Sequence, residues 1–157
     1  MNIKIMSHAN ALREVTSHSK EYNIIFITNP GDPFYKSEMR GLIAHAKESL
    51  VCQFNDIEFN TVSRNGPQTE DVKTILEFAN GKDDLIVCCH AGVSRSSASA
   101  FVIACSREDP EEAVKILDVH KHDPNGLIIK HGAELLDKPT MVEVIQGFKA
   151  RKMEEVY

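Results

Sequence analysis

The sequence predicts an α/β fold: a central, mostly parallel sheet of four to five strands flanked by helices on both faces, within a single domain covering residues 1–157. Three observations carry this. Short apolar runs at Ile24-Ile25-Phe26-Ile27 and Leu85-Ile86-Val87 are too brief for buried helices and alternate with longer stretches of helical spacing. The first run is apolar without interruption, as strands covered on both sheet faces are. A chain of 157 residues, 42% hydrophobic and 26% charged, is large enough to bury the core such a sheet needs.

Taken in order, residues 3–6 read as a strand, and Ser7 is placed to cap a helix running to about Thr16. A second strand covers residues 23–28 and ends in the turn cluster Asn29-Pro30-Gly31-Asp32-Pro33. Helical spacing follows over residues 36–49, and Val51-Cys52-Gln53-Phe54-Asn55 then alternates as a strand. Residues 58–67 are polar, contain Asn65-Gly66-Pro67, and read as a mobile connector. Val72, Ile75, Leu76 and Ala79 mark one face of a helix that Gly81 stops. The strand at 85–87 passes through a tight loop into a small-residue helix over residues 96–104. Asp109-Pro110-Glu111-Glu112 begins another helix, with aspartate as cap, proline first and glutamate third. Helical patterns at 126–136 and 139–152 complete the chain. In such a sheet ligands bind at the carboxyl ends of the strands, and the loop after residue 87 falls there.

That loop is the most informative part of the chain. Cys88-Cys89-His90-Ala91-Gly92-Val93-Ser94-Arg95-Ser96-Ser97 runs from strand through a Gly-containing loop to a helix N-terminus. Such a loop aims successive backbone N–H groups at one point and adds the positive end of a helix dipole, and together these bind a phosphate. Cys89 opens the loop and Arg95 closes it, so a thiol and a guanidinium converge on the same anion. An ordinary thiol, with a pKa of about 8.5, is only a few per cent thiolate at pH 7, whereas oriented amides, a helix terminus and a guanidinium all favour the thiolate. Arg95 can hold two oxygens of a phosphoryl group in its planar fork, which lysine cannot. Gly92 lets the backbone approach the ligand closely or take φ > 0.

The Cys-(x)5-Arg pattern from Cys89 to Arg95 resembles the signature of the cysteine-dependent protein tyrosine phosphatases. Its Ala-Gly-x-Ser-Arg-Ser ending is most similar to the dual-specificity branch. The order of strands and helices, and Asp123-Pro124-Asn125 after the signature helix, extend the resemblance over most of the chain, towards compact bacterial or viral tyrosine-phosphatase-like proteins. The resemblance implies a phosphomonoester hydrolase acting through a phosphocysteine intermediate on Cys89. Substrate is then bound by the loop at His90, Ala91, Gly92, Val93 and Ser94, and by Arg95. It implies further that Ser96 supports the cysteine as leaving group. An aspartate a little over thirty residues upstream protonates the departing oxygen. Asp56 stands at about that spacing, where a strand gives way to a loop; Glu58 and Asp71 are the rival carboxylates. No metal or organic cofactor is implied. One position departs from the family pattern. A histidine usually precedes the nucleophile, and here that residue is Cys88, a weak donor from which a looser loop is expected. Two other readings use the same loop: a module that binds phosphorylated partners without useful turnover, and an arsenate reductase or rhodanese-like sulfurtransferase.

The expected substrate is a phosphorylated protein, on phosphotyrosine or on phosphoserine and phosphothreonine, or a small phosphomonoester. The variable loop positions hold no basic residue beyond His90, which argues against phosphoinositides. A formal charge of −5, with no basic stripe interleaved with aromatics, excludes a general nucleic-acid role. No apolar run approaches membrane-spanning length, residues 1–6 lack a signal-peptide layout, and the 4 cysteines show no disulfide-framework spacing; a cytoplasmic location is expected. Cys52, on a strand expected beside that of Cys89, is the candidate resolving thiol should Cys89 oxidise, and Cys105 reads as core. His120, His122, Asp123 and His131 lack metal-ligand spacing and read as a solvent-facing helix end and loop.

Overall fold

The strands β1 (Ile3–Ser7), β2 (Asn23–Thr28), β3 (Ser49–Gln53) and β4 (Leu85–Cys89) form one parallel four-stranded sheet in the order β1-β4-β2-β3. The structure is a computed structural model and describes residues 2–32, 37–58 and 65–156. Pro33 of the expected turn, Lys36 at the expected helix start and residues 59–64 of the expected connector lie outside the described residues.

The helices α1 (His8–Ser17) and α2 (Ser37–His45) carry the chain across the sheet in one direction, and α3 (Thr69–Ala79) carries it back from edge strand β3 to central strand β4. Parallel crossovers are right-handed, so a reversal of direction moves the helices to the opposite face. After β4 come α4 (Arg95–Cys105), α5 (Pro110–Ala113) with a 3₁₀ turn at Val114–Ile116, α6 (Gly126–Leu136) and α7 (Thr140–Val156). Strand alternation divides the core accordingly. Ile24, Phe26, Ile86 and Cys88 pack with Ala11, Val15, Met39 and Leu42 of α1 and α2. Ile25, Ile27, Leu85, Val87 and Cys89 pack with Val72 and Ile75 of α3, with α4, and with Ile128 and Met141 of α6 and α7. Every residue of α4 is buried, which its run Ser96-Ser97-Ala98-Ser99-Ala100 permits by keeping the helix thin. Among the described residues no helix is long and apolar enough to cross a membrane.

The element boundaries depart from the periodicity where strand pairing intervenes. Helix α2 stops at His45 and β3 starts at Ser49, because Lys47 N–H already donates to Tyr22 O and Glu48 O accepts from Ile24 N–H. Strand β3 ends two residues sooner than the alternation of Val51 to Asn55 suggests: Phe54 N–H makes the last bond, to Thr28 O. Ser7 caps α1 as expected, its Oγ accepting from Asn10 N–H at 3.2 Å. Asp109 occupies the cap position of α5 without a side-chain cap bond, and that helix is only 4 residues long.

Candidate active site

All four strands deliver their carboxyl ends to one edge of the sheet, and the loop between β4 and α4 lies there. Two of its carbonyls, those of Val93 and Ser94, are bonded by the chain that follows. Val93 O accepts from Asp123 N–H (3.0 Å) and Ser97 Oγ (2.6 Å). Ser94 O accepts from Asn125 N–H (3.2 Å) and Ala98 N–H (3.1 Å). With the carbonyls so engaged, no backbone N–H of residues 90–95 donates to an acceptor among the described residues. These unbonded amides lead into the N-terminus of α4, where free N–H groups and the helix dipole favour an anion.

Cys89, Arg95, Asp56, His90, Ala91, Val93 and Ser94 line one cavity of about 330 Å³, together with Glu58 and Asp123. The Cys89 Sγ lies 3.1 Å from Ser96 Oγ, so the hydroxyl can donate to a thiolate. Arg95 is 6% exposed and begins a helix, where the dipole disfavours a cation. Its Nη1 donates to Asn29 Oδ1 and to Phe54 O, both at 2.9 Å. Among the described residues no carboxylate pairs with it. A buried guanidinium held only by neutral acceptors is poorly compensated until an anion arrives.

Asp56 stands three residues beyond β3, facing the loop. Its Oδ1 accepts from Ser94 Oγ and from Asn125 Nδ2, each at 2.8 Å. Asn125 caps α6, its Oδ1 accepting from the Leu127 and Ile128 N–H groups at 3.0 Å, and this fixes its amide towards Asp56. Ser94 occupies the cap position of α4 but spends its hydroxyl on Asp56. Glu58 also lines the cavity, yet it is tied to Gly126 N–H (2.7 Å) and Lys149 (3.6 Å). Asp71 closes the capping box of α3, accepting from Gln68 N–H at 2.8 Å. Of the three carboxylates, Asp56 alone bonds to a side chain of the loop between β4 and α4.

The strand alternation turns Cys88 away from its neighbour. Its Sγ lies among α1 and α2, 3.6 Å from Ile25 O, and complete burial pushes its thiol well above 9.0. The bonds to the Val93 and Ser94 carbonyls run through Asp123, Asn125, Ser97 and Ala98, none of them from Cys88. Cys52 and Cys105 are buried thiols pushed up to about 12 by desolvation. Cys52 shares a sheet face with Cys89, but β2 lies between their strands. Two strand spacings amount to roughly 9.5 Å, beyond the ~7 Å that a disulfide spans. The expectation that Cys52 resolves an oxidised Cys89 is therefore not met.

His8, which the sequence did not single out, supports the cavity wall. It stacks on Phe26 (ring centroids 3.9 Å apart), donates from Nε2 to Ile27 O (2.8 Å) and meets His90 edge-on at 5.7 Å. Burial lowers its pKa below the usual imidazole value of 6.5. The expected solvent-facing group of histidines divides in two. His120 and Asp123 are exposed, whereas His122 and His131 are buried and bonded internally, to Asp118 N–H and to Thr69 and Pro67. Among the described residues no His, Cys, Asp or Glu cluster is placed to hold a metal ion.

No protein-family model matches the chain, and no curated protein resembles it by sequence. Its backbone does match solved structures. It superimposes on DUSP15 with a TM-score of 0.56 at 15% identity, over 95% of this chain and 91% of that one. Human tyrosine phosphatase-like serine/threonine/tyrosine-interacting protein gives 0.55 at 15% identity, over 96% and 93%. PTPMT1 in complex with PI(5)P gives 0.54 at 14% identity, over 97% and 91%. The fold is that of the cysteine-dependent tyrosine phosphatases.

Proposed function

We propose that the chain is a phosphomonoester hydrolase of the dual-specificity type acting on phosphorylated protein. The observation that carries this is the convergence of the Cys89 thiol, the uncompensated Arg95 and the unbonded loop amides on one cavity. Cys89, as thiolate, attacks phosphorus while the P–O bond to the leaving group breaks. The amides of residues 90–95 and the Arg95 guanidinium take the three phosphoryl oxygens. Asp56 gives its proton to the departing oxygen; Ser94 and Asn125 both occupy Oδ1, so Oδ2 is the oxygen that carries the proton. Water then attacks the phosphocysteine, its proton passes to Asp56, and the S–P bond breaks with Ser96 donating to the sulfur. The sequence of steps needs no metal or organic cofactor.

Arsenate reduction requires a resolving thiol, and Cys88 and Cys52 are both out of reach of Cys89. Arg95 is the one arginine or lysine lining the cavity, beside Asp56, Glu58 and Asp123, the last two paired with Lys149 at 3.6 and 3.9 Å; this lining is a poor match to a polyanion such as the PI(5)P that PTPMT1 binds. A phosphorylated protein fits this wall better. The four free thiols suit a reducing, cytoplasmic setting.

Rapid acid quenching during p-nitrophenyl phosphate turnover is expected to leave one phosphate on Cys89, read by peptide mass spectrometry. Turnover with no phosphate on Cys89, or no turnover at all, would overturn the reading. Asp56→Asn supplies the second test. It is expected to slow an alkyl or phosphotyrosine ester by ~10²–10⁴-fold, with far less effect on p-nitrophenyl phosphate, whose leaving group needs little protonation. An equal loss on both substrates would remove Asp56 from the role of acid.

A further inference from the structure

Arg95 is gripped by two neutral acceptors that come from adjacent strand ends. Asn29 is the first residue after β2, and Phe54 the first after β3. The Asn29 turn is itself set by Asp32, whose Oδ2 accepts from Thr28 Oγ1 and from Asn29 N–H (3.3 Å). Both acceptors fall on Nη1 of Arg95, so Nη2 and Nε are the donors left for an oxyanion. An arginine can only donate, so the side-chain oxygen of Asn29 must face it.

We propose that Asn29 is a positioning residue whose neutrality matters as much as its hydrogen bond: it aims the Arg95 guanidinium without cancelling its charge. An aspartate of the same shape would make the stronger, charge-assisted bond and would give a buried cation its counterion. The fold alone would be better served by that carboxylate. An oxyanion would then meet an arginine already paired, beside a second negative charge. The amide at residue 29 therefore favours ligand binding over stability of the free protein. This inference rests on the phosphatase reading for its chemistry, and on oxyanion binding for its test.

The test compares wild type, Asn29→Asp and Asn29→Ala by calorimetric titration with tungstate, by thermal unfolding without ligand, and by KM and kcat on p-nitrophenyl phosphate. Asn29→Asp is expected to weaken tungstate binding by about tenfold or more, which is 1.4 kcal/mol per decade, and to bind it less tightly than Asn29→Ala. The same variant is expected to unfold about 2–4 °C higher than wild type, and its KM to rise more than its kcat falls. A purely structural role predicts the opposite order, with the isosteric aspartate benign and alanine harmful. Tungstate affinity in Asn29→Asp equal to wild type, or better than in Asn29→Ala, would overturn the proposal. A wild type that binds tungstate but hydrolyses no phosphoester would sink the phosphatase reading while leaving this inference to stand or fall on affinity alone.

Discussion

Replacing Cys89 with serine is expected to reduce phosphoester turnover by on the order of 10⁴-fold or more while changing tungstate affinity by less than about threefold, within ~0.7 kcal/mol. The two halves of that expectation have separate physical sources. A serine hydroxyl needs a base to become a nucleophile. Among the described residues the polar partner of Cys89 Sγ is Ser96 Oγ, itself a hydroxyl, and no imidazole bonds there. His90, the nearest ring in sequence, is turned edge-on to His8 at the cavity wall. Binding, by contrast, is proposed to come from Arg95 and the loop amides; Arg95 is bonded by Asn29 and Phe54, and the loop carbonyls by Asp123 and Asn125, none of them through the sulfur. Steady-state kinetics on p-nitrophenyl phosphate and titration with tungstate separate the two. A Cys89→Ser protein that kept more than a few per cent of its turnover would show that phosphoryl transfer does not pass through sulfur. Loss of turnover and tungstate binding together would show that the thiol holds the loop in shape, and the assignment of binding to Arg95 and the amides would fail.

Residues that act through spacing along the chain were legible in the sequence; residues that act across the sheet were not. Cys89, Arg95 and Ser96 lie within one loop and one helical turn, so their meeting follows from local geometry: Cys89 and Arg95 line one cavity, and Ser96 bonds to the Cys89 sulfur. Asp56 was singled out by the spacing that the family resemblance implies, and what sets it apart from Glu58 here is a tertiary contact: Asn125 reaches it from the cap of α6. Asn29 looked like one member of a turn cluster. Its bond to Arg95 exists only because β2 and β4 are neighbours in the sheet, an adjacency that skips β3 in the chain. The same skipping defeated the expectation for Cys52, which would hold only in a sheet where β3 and β4 paired. Pairing also explains the misplaced end of α2, since periodicity cannot see Tyr22 and Ile24 capturing Lys47 and Glu48. The opposite facing of Cys88 and Cys89, on the other hand, is plain strand alternation and was available from the sequence once the strand was extended through Cys89.

Gly92→Ala is expected to destabilise the protein by about 2–4 kcal/mol and to cut turnover by ~10²-fold, a larger loss than glycine's backbone freedom alone explains. Gly92 has φ +71, a conformation that costs a residue with a Cβ roughly 1–2 kcal/mol. The remainder is steric. A Cβ at this position would lie 2.5 Å from Ser7 N and 2.6 Å from Met6 C. Those are backbone atoms of β1, held in register with Cys88 and Cys89 of β4, so neither partner can move without disturbing the strand pair that leads into the loop. Relief must come from the loop itself, which would carry the amides of residues 90–95 away from the position that Arg95 shares. Gly31→Ala provides the comparison that isolates this. Gly31 has φ +84, yet a Cβ there meets nothing within 4 Å, so only the conformational cost of ~1–2 kcal/mol applies. Urea unfolding of the two variants gives the steric component as their difference, and p-nitrophenyl phosphate kinetics show whether it is expressed at the site. Gly92→Ala as mild as Gly31→Ala, with turnover intact, would mean that the loop can ride up from β1 without losing its anion geometry. The close packing of loop on strand would then be incidental, and the bonds from Asp123 and Asn125 alone would hold the amides in place.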